Sequence, residues 1–192
     1  MKLGIFGGTF DPIHNGHLRM AIEAKETLNL EKVILQVAQV SPFRIGETHT
    51  DPNLRAEMVE DAISGDSGLH VGRDEINREG PSFTIDSIKL YPNDEITIIV
   101  GADALAGLPE WKEPDELIRL TRIAAFQRTG IDLHSIVRGF PVDWQSRIAL
   151  VPIPSLEISA TDIRCRVNKG LSIRHLTPES VVQIIEQRRL YR

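Results

Sequence analysis

The sequence lacks the features that mark disulfide-bonded and membrane-spanning proteins. Its single cysteine, Cys165, excludes an internal disulfide and fits a reducing compartment, so we expect a cytoplasmic protein. We also expect Cys165 to be a small buried residue on a helix. No apolar run approaches the ~20 residues that a membrane-spanning helix needs, and therefore we expect no membrane contact.

Positive charge is also scarce. Lysine and arginine together number 22 against 27 acidic residues, which gives a net charge of −5. A broad nucleic-acid surface needs a basic face, so no nucleic-acid partner is expected and any phosphate site must be local. The sequence has no H-E-x-x-H pattern and no cysteine cluster to complete a zinc site. The glycine-rich stretch near residue 7 matches neither the dinucleotide G-x-G-x-x-G nor a P-loop.

What remains is an ordinary globular composition, 192 residues with 41% hydrophobic and 26% charged side chains. One domain over 1–192 is the default, with 156–192 as a helical C-terminal part. The hydrophobic pattern alternates strands with helices, which predicts an α/β fold with a doubly wound, mostly parallel sheet. We predict strands at 3–6, 33–40, 70–71, 96–100, 123–126 and 148–151. We predict helices at 15–30, 52–64, 114–120 and 133–138, one after the 80–88 turn, and two more beginning near 159 and 178.

The stretch 4–17 runs from a buried strand through a turn into a helix. The turn holds Gly7, Gly8 and Thr9, followed by His14 and His17. A helix start presents free N–H groups and a positive dipole end, and histidines add donors that can become cationic. The stretch therefore indicates a phosphate site. A structural role for the histidines, with one capping the helix and the other packing, stays open.

A second turn lies at 158–164. Ser159 followed by Asp162 resembles a capping box, with aspartate in place of glutamate. The hydroxyls of Ser159 and Thr161, the helix N–H groups and Arg164 would also suit a phosphate; simple capping remains the alternative. Because both turns follow strands of a parallel sheet, they can face one phosphate chain from two sides.

Four other places in the chain have a simple structural explanation, and for three of them a ligand-binding role is also possible. Asp103 follows the central strand, where it could accept from a sugar hydroxyl or cap the next helix. In the turn at 80–88, Ser82 or Thr84 can cap the helix that follows. Trp111 could be a half-exposed core residue or a stacking platform for a flat ring. The loop at 41–53 follows the second strand, and Arg44 there could bind a ligand or simply be exposed. We expect residues 188–192 to be solvated.

These motifs together resemble those of the bacterial nicotinate-mononucleotide adenylyltransferases, a family of the HxGH nucleotidyltransferase superfamily. The stretches 7–17 and 158–164 match the two motifs that the superfamily shares. Those at 80–86, 99–103 and 171–181 are similar to the family's substrate turn, central motif and C-terminal signature. The resemblance runs from about residue 3 to 188, weakest at 41–53 and 131–147. The family's Pro-Pro-His-Lys-like stretch is replaced by Ser41-Pro42-Phe43-Arg44, so Arg44 is our hypothesis for the missing phosphate ligand.

The resemblance implies a Rossmann-like nucleotidyltransferase fold and a reaction of ATP with nicotinate mononucleotide. It places His14 and His17 on the ATP phosphates, with Thr9 beside the α-phosphate, as catalytic residues. Further ATP-binding residues would be Gly7, Gly8, Phe10, Gly16, Gly101, Asp103, Ser159, Thr161 and Arg164. Nicotinate mononucleotide would be bound by Arg44, Thr84, Trp111 and Arg128. Mg²⁺ would be held by ATP phosphates and water, with no carboxylate cage.

Three alternatives remain open. A sister adenylyltransferase acting on phosphopantetheine shares both superfamily motifs. The altered loop at Phe43 and Arg44 would also fit a non-catalytic nucleotide-binding module, and His14 with His17 could serve a zinc hydrolase. The sequence does not say whether the chain forms a homo-oligomer.

Overall fold

A six-stranded sheet forms the centre of the molecule in our computed structural model, which describes residues 1–40, 42, 50–78, 80–127, 130–154 and 156–192. Its strands are β1 (Lys2–Gly8), β2 (Lys32–Val37), β3 (Leu69–Gly72), β4 (Glu95–Gly101), β5 (Arg122–Phe126) and β6 (Ile148–Val151). The strand order is β3-β2-β1-β4-β5-β6 and every pairing between them is parallel. The predicted α/β class is therefore confirmed. The order reverses between β1 and β4, where open α/β sheets bind ligands at the carboxyl ends of their strands.

Helices cover both faces of this sheet. They are α1 (Asn15–Thr27), α2 (Pro52–Ala62), α3 (Thr84–Ile88), α4 (Ala102–Ala106), α5 (Pro114–Leu120), α6 (Leu133–Arg138), α7 (Val142–Gln145), α8 (Ala160–Asn168) and α9 (Glu179–Gln187), with a 3₁₀ turn at Leu108–Glu110. Two apolar clusters result, because neighbouring side chains of a strand point to opposite faces. Phe6 of β1 packs in one cluster with residues of α1, α2, α8 and α9. Ile5 packs in the other, with residues of α3, α4 and α5.

Several predicted details are wrong. Helix α1 ends at Thr27, not at residue 30, because Asn29 adopts a left-handed backbone with φ +51°. Ile22 of that helix, expected in the core, is 37% exposed. Strand β2 ends at Val37 rather than at residue 40.

Two side chains also differ from expectation. Cys165 lies on α8 as predicted but is exposed, because it stands two residues from the buried Ile163 and so points to another side of the helix. Neither Ser82 nor Thr84 caps α3: the N-cap is Phe83, whose apolar side chain cannot do so. Among the described residues, no helix combines the length and the apolar character needed to cross a membrane.

Candidate active site

The turn between β1 and α1 brings two histidines face to face. The backbone N–H of His17 donates to Nδ1 of His14, and the backbone N–H of His14 donates to Nδ1 of His17, both at 3.3 Å. This reciprocal pair caps α1, and the two rings stack with centroids 3.5 Å apart. The capping role of His14 is thus confirmed. Because both Nδ1 atoms accept, each neutral ring carries its proton on Nε2, which remains available as a donor.

The surroundings of the histidines favour the neutral form. Burial lowers the pKa of His14 to about 4, from an ordinary value of 6.5. Burial also lowers the pKa of His17 well below its usual value, and the nearby His14 lowers it further. The rings of Phe6 and Phe10 lie edge-on to the ring of His17, with centroid distances of 5.9 and 5.0 Å. At neutral pH the pair therefore offers hydrogen-bond donors and not the cations that the sequence allowed.

Close packing explains two of the glycines in this turn. A Cβ atom at Gly8 would lie 2.8 Å from the ring of Phe10, whose own backbone is left-handed with φ +48°. A Cβ atom at Gly16 would lie 3.0 Å from Nδ1 of His14. Side chains at these positions would displace the rings that shape the turn. At Gly7, by contrast, the space around a Cβ is open, and the residue is exposed at the end of β1.

The second turn meets the first. The hydroxyl of Ser159 caps α8 by accepting from the N–H of Asp162 at 3.1 Å. The guanidinium of Arg164 donates to the hydroxyl of Thr161 at 3.2 Å and to the carbonyl of Asp11 at 2.7 Å. Asp11 belongs to the first turn, so Arg164 ties the two turns directly. The predicted meeting of these turns is confirmed, and the capping role of Ser159 is confirmed with it.

A buried arginine that was not predicted from the sequence holds the first turn by hydrogen bonds. Arg55 of α2 is only 1% exposed and donates to three backbone carbonyls: Thr9 at 2.5 Å, Thr50 at 2.9 Å and Gln39 at 3.1 Å. Its fork therefore joins the first turn to the segments that follow β2 and precede α2. Helical spacing could have revealed it, since position 55 shares the buried face of Met58 and Val59.

The segment before α9 holds the start of α1 in place. The backbone N–H of Asn15 donates to Leu176 O at 3.0 Å, and its side-chain amide donates to His175 O at 2.7 Å. The buried hydroxyl of Thr177 donates to Ile13 O at 2.7 Å. His14 is thus flanked on either side by residues that are hydrogen-bonded to a distant part of the chain.

Two of the residues predicted for the second substrate, Thr84 and Trp111, form a separate group. Thr84 begins α3, and the preceding Ser82 accepts the N–H of Gln39 at 2.9 Å, which ties this turn to the segment after β2. Trp111 is half-buried against the second apolar cluster. Its neighbour Lys112 binds Asp86 of α3 at 3.1 Å and lies 4.8 Å from the ring centroid of Phe83. Thr84 and Trp111 therefore lie close to the same contacts; together with Phe83, Asp86 and Lys112 they form what we call the α3 neighbourhood.

A buried carboxylate anchors that neighbourhood. Glu75 is 6% exposed and accepts from the hydroxyl of Ser87 in α3 at 2.5 Å. Burial raises the pKa of Glu75, although the hydrogen bonds from Ser87 and Ser82 act in the opposite direction. The contact fixes α3 on the segment that follows β3, and no sequence motif had singled out Glu75.

The structure says less about the other predicted site residues, Asp103, Arg44 and Arg128. Asp103 is exposed in the first turn of α4, whose N-cap is Gly101, so Asp103 is not itself the cap. Arg44 and Arg128 lie outside the described residues. Within the part of the chain that is described, no group of three or more His, Cys, Asp or Glu side chains could hold a metal ion. A zinc hydrolase built on His14 and His17 would therefore lack further protein ligands there.

The sheet order and the paired turns at its switch point are typical of the Rossmann-like α/β class, to which nucleotidyltransferases belong. A family model described as cytidylyltransferase-like matches residues 5–166. A protein of Roseiflexus sp. strain RS-1, described as a probable nicotinate-nucleotide adenylyltransferase, is 40% identical over 195 residues, covering 99% of this chain and 98% of its own length. One from Clostridium beijerinckii with the same description is 39% identical over 202 residues, covering 100% and 99%. The chain belongs to the nicotinate-nucleotide adenylyltransferase family.

A solved structure shares the fold. Nicotinic acid mononucleotide adenylyltransferase of Plasmodium falciparum, complexed with NaAD, superimposes with a TM-score of 0.80 at 22% identity. The match covers 99% of this chain and 97% of that one. At this identity the likeness concerns the fold alone, and it confirms the expected Rossmann-like architecture.

Proposed function

We propose that this protein joins ATP and nicotinate mononucleotide to give deamido-NAD and pyrophosphate. The observation that carries the proposal is the hydrogen bond from Arg164 to the Asp11 carbonyl, because it brings two phosphate-binding turns to one place. Full-length relatedness to the adenylyltransferase family supports the same reaction. Residues 1–192 would act as one domain, since α8 and α9 pack in the same apolar cluster as β1.

The reaction needs no protein nucleophile. The phosphate of nicotinate mononucleotide is already anionic at neutral pH, and one of its oxygens attacks the α-phosphorus of ATP. A new P–O bond forms while the bond from the α-phosphorus to the bridging oxygen breaks, and pyrophosphate leaves with that electron pair. Catalysis then consists of alignment and stabilisation of the charge that develops.

The histidine pair suits the α-phosphate. With both Nδ1 atoms accepting from the backbone, His14 and His17 would donate through Nε2 without any reorientation of the rings. Thr9 would lie beside the same phosphate, and the guanidinium of Arg55 holds its backbone carbonyl. The remaining residues of the first turn would form the cradle around it: Gly7, Gly8, Phe10 and Gly16.

The second turn suits the leaving group. Ser159, Thr161 and Arg164 would hold the β- and γ-phosphates at the start of α8, where helix N–H groups add further donors. Gly101 and Asp103, at the end of β4, would lie near a ribose. The donors at the start of α8 would thus stabilise the negative charge that develops on the departing pyrophosphate.

The α3 neighbourhood suits nicotinate mononucleotide. Backbone N–H groups near Thr84 would bind the nicotinate carboxylate, and Trp111 would stack on the pyridine ring. An amide in place of the carboxylate would turn its NH₂ toward these donors and leave them unpaired, which disfavours it. Arg44 and Arg128 remain our candidates for the mononucleotide phosphate, from sequence alone.

Magnesium would come with the nucleotide. The described residues offer no carboxylate cage, which fits an ion carried mainly by phosphate oxygens and water. When bound, Mg²⁺ neutralises part of the triphosphate charge; Arg164 and the start of α8 would position the same phosphates. We place the protein in the cytoplasm on the strength of its low cysteine content.

Pyrophosphate release measured with ATP, Mg²⁺ and one acceptor at a time tests this function. We expect rapid release with nicotinate mononucleotide, slower release with its amide and none with phosphopantetheine. Faster release with phosphopantetheine would make the protein its sister enzyme. Absence of release with every acceptor would favour a non-catalytic nucleotide-binding module.

A further inference from the structure

Asp11, in the first turn, is contacted by three parts of the chain that are far apart in sequence. It is 4% exposed. Its carboxylate accepts from the hydroxyl of Tyr191 at 2.6 Å and from the backbone N–H of Thr50 at 3.2 Å. Its backbone carbonyl accepts from Arg164 at 2.7 Å. One residue therefore connects the histidine turn, the segment before α2, the second turn and the segment after α9.

Tyr191 reaches Asp11 through an unusual backbone path. Arg189 and Tyr191 both adopt left-handed conformations, with φ +53° and +61°. Such conformations are unfavourable for residues other than glycine and persist where the surroundings over-determine them. Within the segment 188–192, which we predicted to be solvated, Arg188, Arg189 and Arg192 are exposed. Tyr191 is instead half-buried, and its hydroxyl meets the first turn.

The polarity of this contact is fixed. Burial raises the pKa of the Tyr191 hydroxyl, and the charge of Asp11 raises it further, so tyrosine keeps its proton and donates. Burial alone would raise the pKa of Asp11, but the hydrogen bonds from Thr50 and Tyr191 outweigh it and the pKa is lowered. The pair is therefore a phenol that donates to a carboxylate, which is stronger than a neutral hydrogen bond.

We infer that Tyr191 is a positioning residue for adenylyl transfer, acting through Asp11 on the turn that carries Thr9 and His14. Asp11 lies two residues after Thr9 and three before His14, and its own carbonyl holds Arg164. Rotation of the Asp11 backbone would thus displace the groups on both sides of the triphosphate together. This inference rests on the proposed function.

The effect should be confined to the ATP half of the site. Asp11 contacts the first and second turns and, through Thr50, the segment before α2. Thr84 and Trp111 are held instead by Ser82, Asp86 and the second apolar cluster. Loss of the Tyr191 hydroxyl should therefore alter ATP binding and turnover and leave recognition of the mononucleotide intact.

Tyr191→Phe removes the hydroxyl and keeps the ring. We expect kcat to fall about tenfold and the Kd of a non-hydrolysable ATP analogue to rise several-fold, as expected for a lost hydrogen bond to a charged group. The KM for nicotinate mononucleotide should stay within about twofold. Tyr91→Phe is the matched control, because the Tyr91 hydroxyl donates to Asp74 at 3.4 Å on the exposed surface. That variant should match the wild type in all three quantities.

Calorimetric titration with the ATP analogue reports on the folded protein even if part of the sample is unfolded. Wild-type values of kcat and analogue Kd in Tyr191→Phe would overturn the inference. An equal loss of affinity for both substrates would also overturn it, since that result would mean a general loss of order in the whole site. If the wild type releases no pyrophosphate, the proposed function fails, while the analogue Kd still tests the positioning role.

Discussion

At the scale of single residues, the unexpected finding is that the fold favours the uncharged form of the two histidines. Each Nδ1 accepts a backbone N–H, so protonating a ring would break the capping contact as well as place charge in an apolar setting. A neutral donor aimed at a phosphate loses no favourable contact when charge develops there. The sequence predicted both the phosphate role and the capping role as alternatives, and the geometry makes them compatible.

Replacing His17 by alanine should lower kcat by about 10²–10³, as for the loss of one charge-stabilising donor in an active site. Steady-state kinetics with saturating substrates gives the value. His134→Ala, an exposed histidine on α6, is the control and should retain full activity. Unchanged turnover in His17→Ala would refute its catalytic role.

The neutrality of His14 predicts a pH dependence of stability. Its pKa lies at about 4 in the fold and near 6.5 in the unfolded chain, so between these values the unfolded state binds the extra proton. The contribution of His14 to the free energy of unfolding should therefore be complete above pH 6.5 and be lost, on the order of 3 kcal/mol, toward pH 4. The lowered pKa of His17 adds to the loss in the same direction. Urea denaturation at several pH values measures this loss.

Asparagine at position 14 can still cap α1 but cannot titrate, so His14→Asn should show a clearly flatter curve. His134→Gln should keep the wild-type slope. Parallel curves for wild type and His14→Asn would mean that burial of His14 does not set its protonation.

Residues that support the site were harder to predict than residues in it. The turns could be found because glycine, hydroxyl and histidine side chains stand next to one another in sequence. Asp11, Arg55 and Tyr191 act largely through contacts with distant parts of the chain: Arg55 reaches Thr9 across 46 positions, and Tyr191 reaches Asp11 across 180. The local pattern of residues in the sequence does not predict contacts of this kind. Only the helical periodicity around Arg55 hinted at burial.

At the scale of secondary structure, the start of α8 combines two tasks. Ser159 caps the helix through the N–H of Asp162, and the same hydroxyl would face the leaving phosphates. The sequence could not separate these roles, because capping and phosphate binding use the same atoms. The start of α3 was mispredicted for a related reason: Ser82 is a good cap in principle but is occupied by Gln39.

Ser159→Ala separates the two tasks. It should lower the free energy of unfolding by about 1 kcal/mol, as for other lost caps. It should also reduce kcat/KM for ATP by about tenfold through lost phosphate contact. Asp132→Ala is the matched control, because Asp132 caps α6 by accepting from the N–H of Ser135 at 3.1 Å.

The control should lose similar stability, measured by thermal denaturation, and keep its activity. Equal activity in both variants would reduce Ser159 to a cap.

At the scale of the whole molecule, the fold class was predictable and the strand order was not. Continuous apolar runs such as 96–100 mark strands covered on both faces, and their alternation with helices indicates a parallel sheet. The order β3-β2-β1-β4-β5-β6 depends on pairings that no single stretch encodes. That order places the turn proposed for ATP near β1 and the group proposed for nicotinate mononucleotide near α3, with Arg55 and Gln39 between them.

This division into halves predicts a selective effect of Trp111. Trp111→Ala should raise the KM for nicotinate mononucleotide about tenfold, in the range measured for stacking of a base on an aromatic ring. The affinity for ATP should stay the same, since Trp111 belongs to the neighbourhood of α3. Initial rates measured while each substrate is varied separate the two constants. A weakened affinity for ATP would mean that Trp111 has been assigned to the wrong substrate.

The central claim, that two strand-end turns share one triphosphate, is tested most directly by a crystal structure with Mg²⁺ and a non-hydrolysable ATP analogue. We predict the α-phosphate within hydrogen-bond distance of Nε2 of His14 or His17. The β- or γ-phosphate should lie at the same range from Ser159, Thr161 or Arg164. A triphosphate that contacts one turn alone, or that binds away from both, would contradict the account.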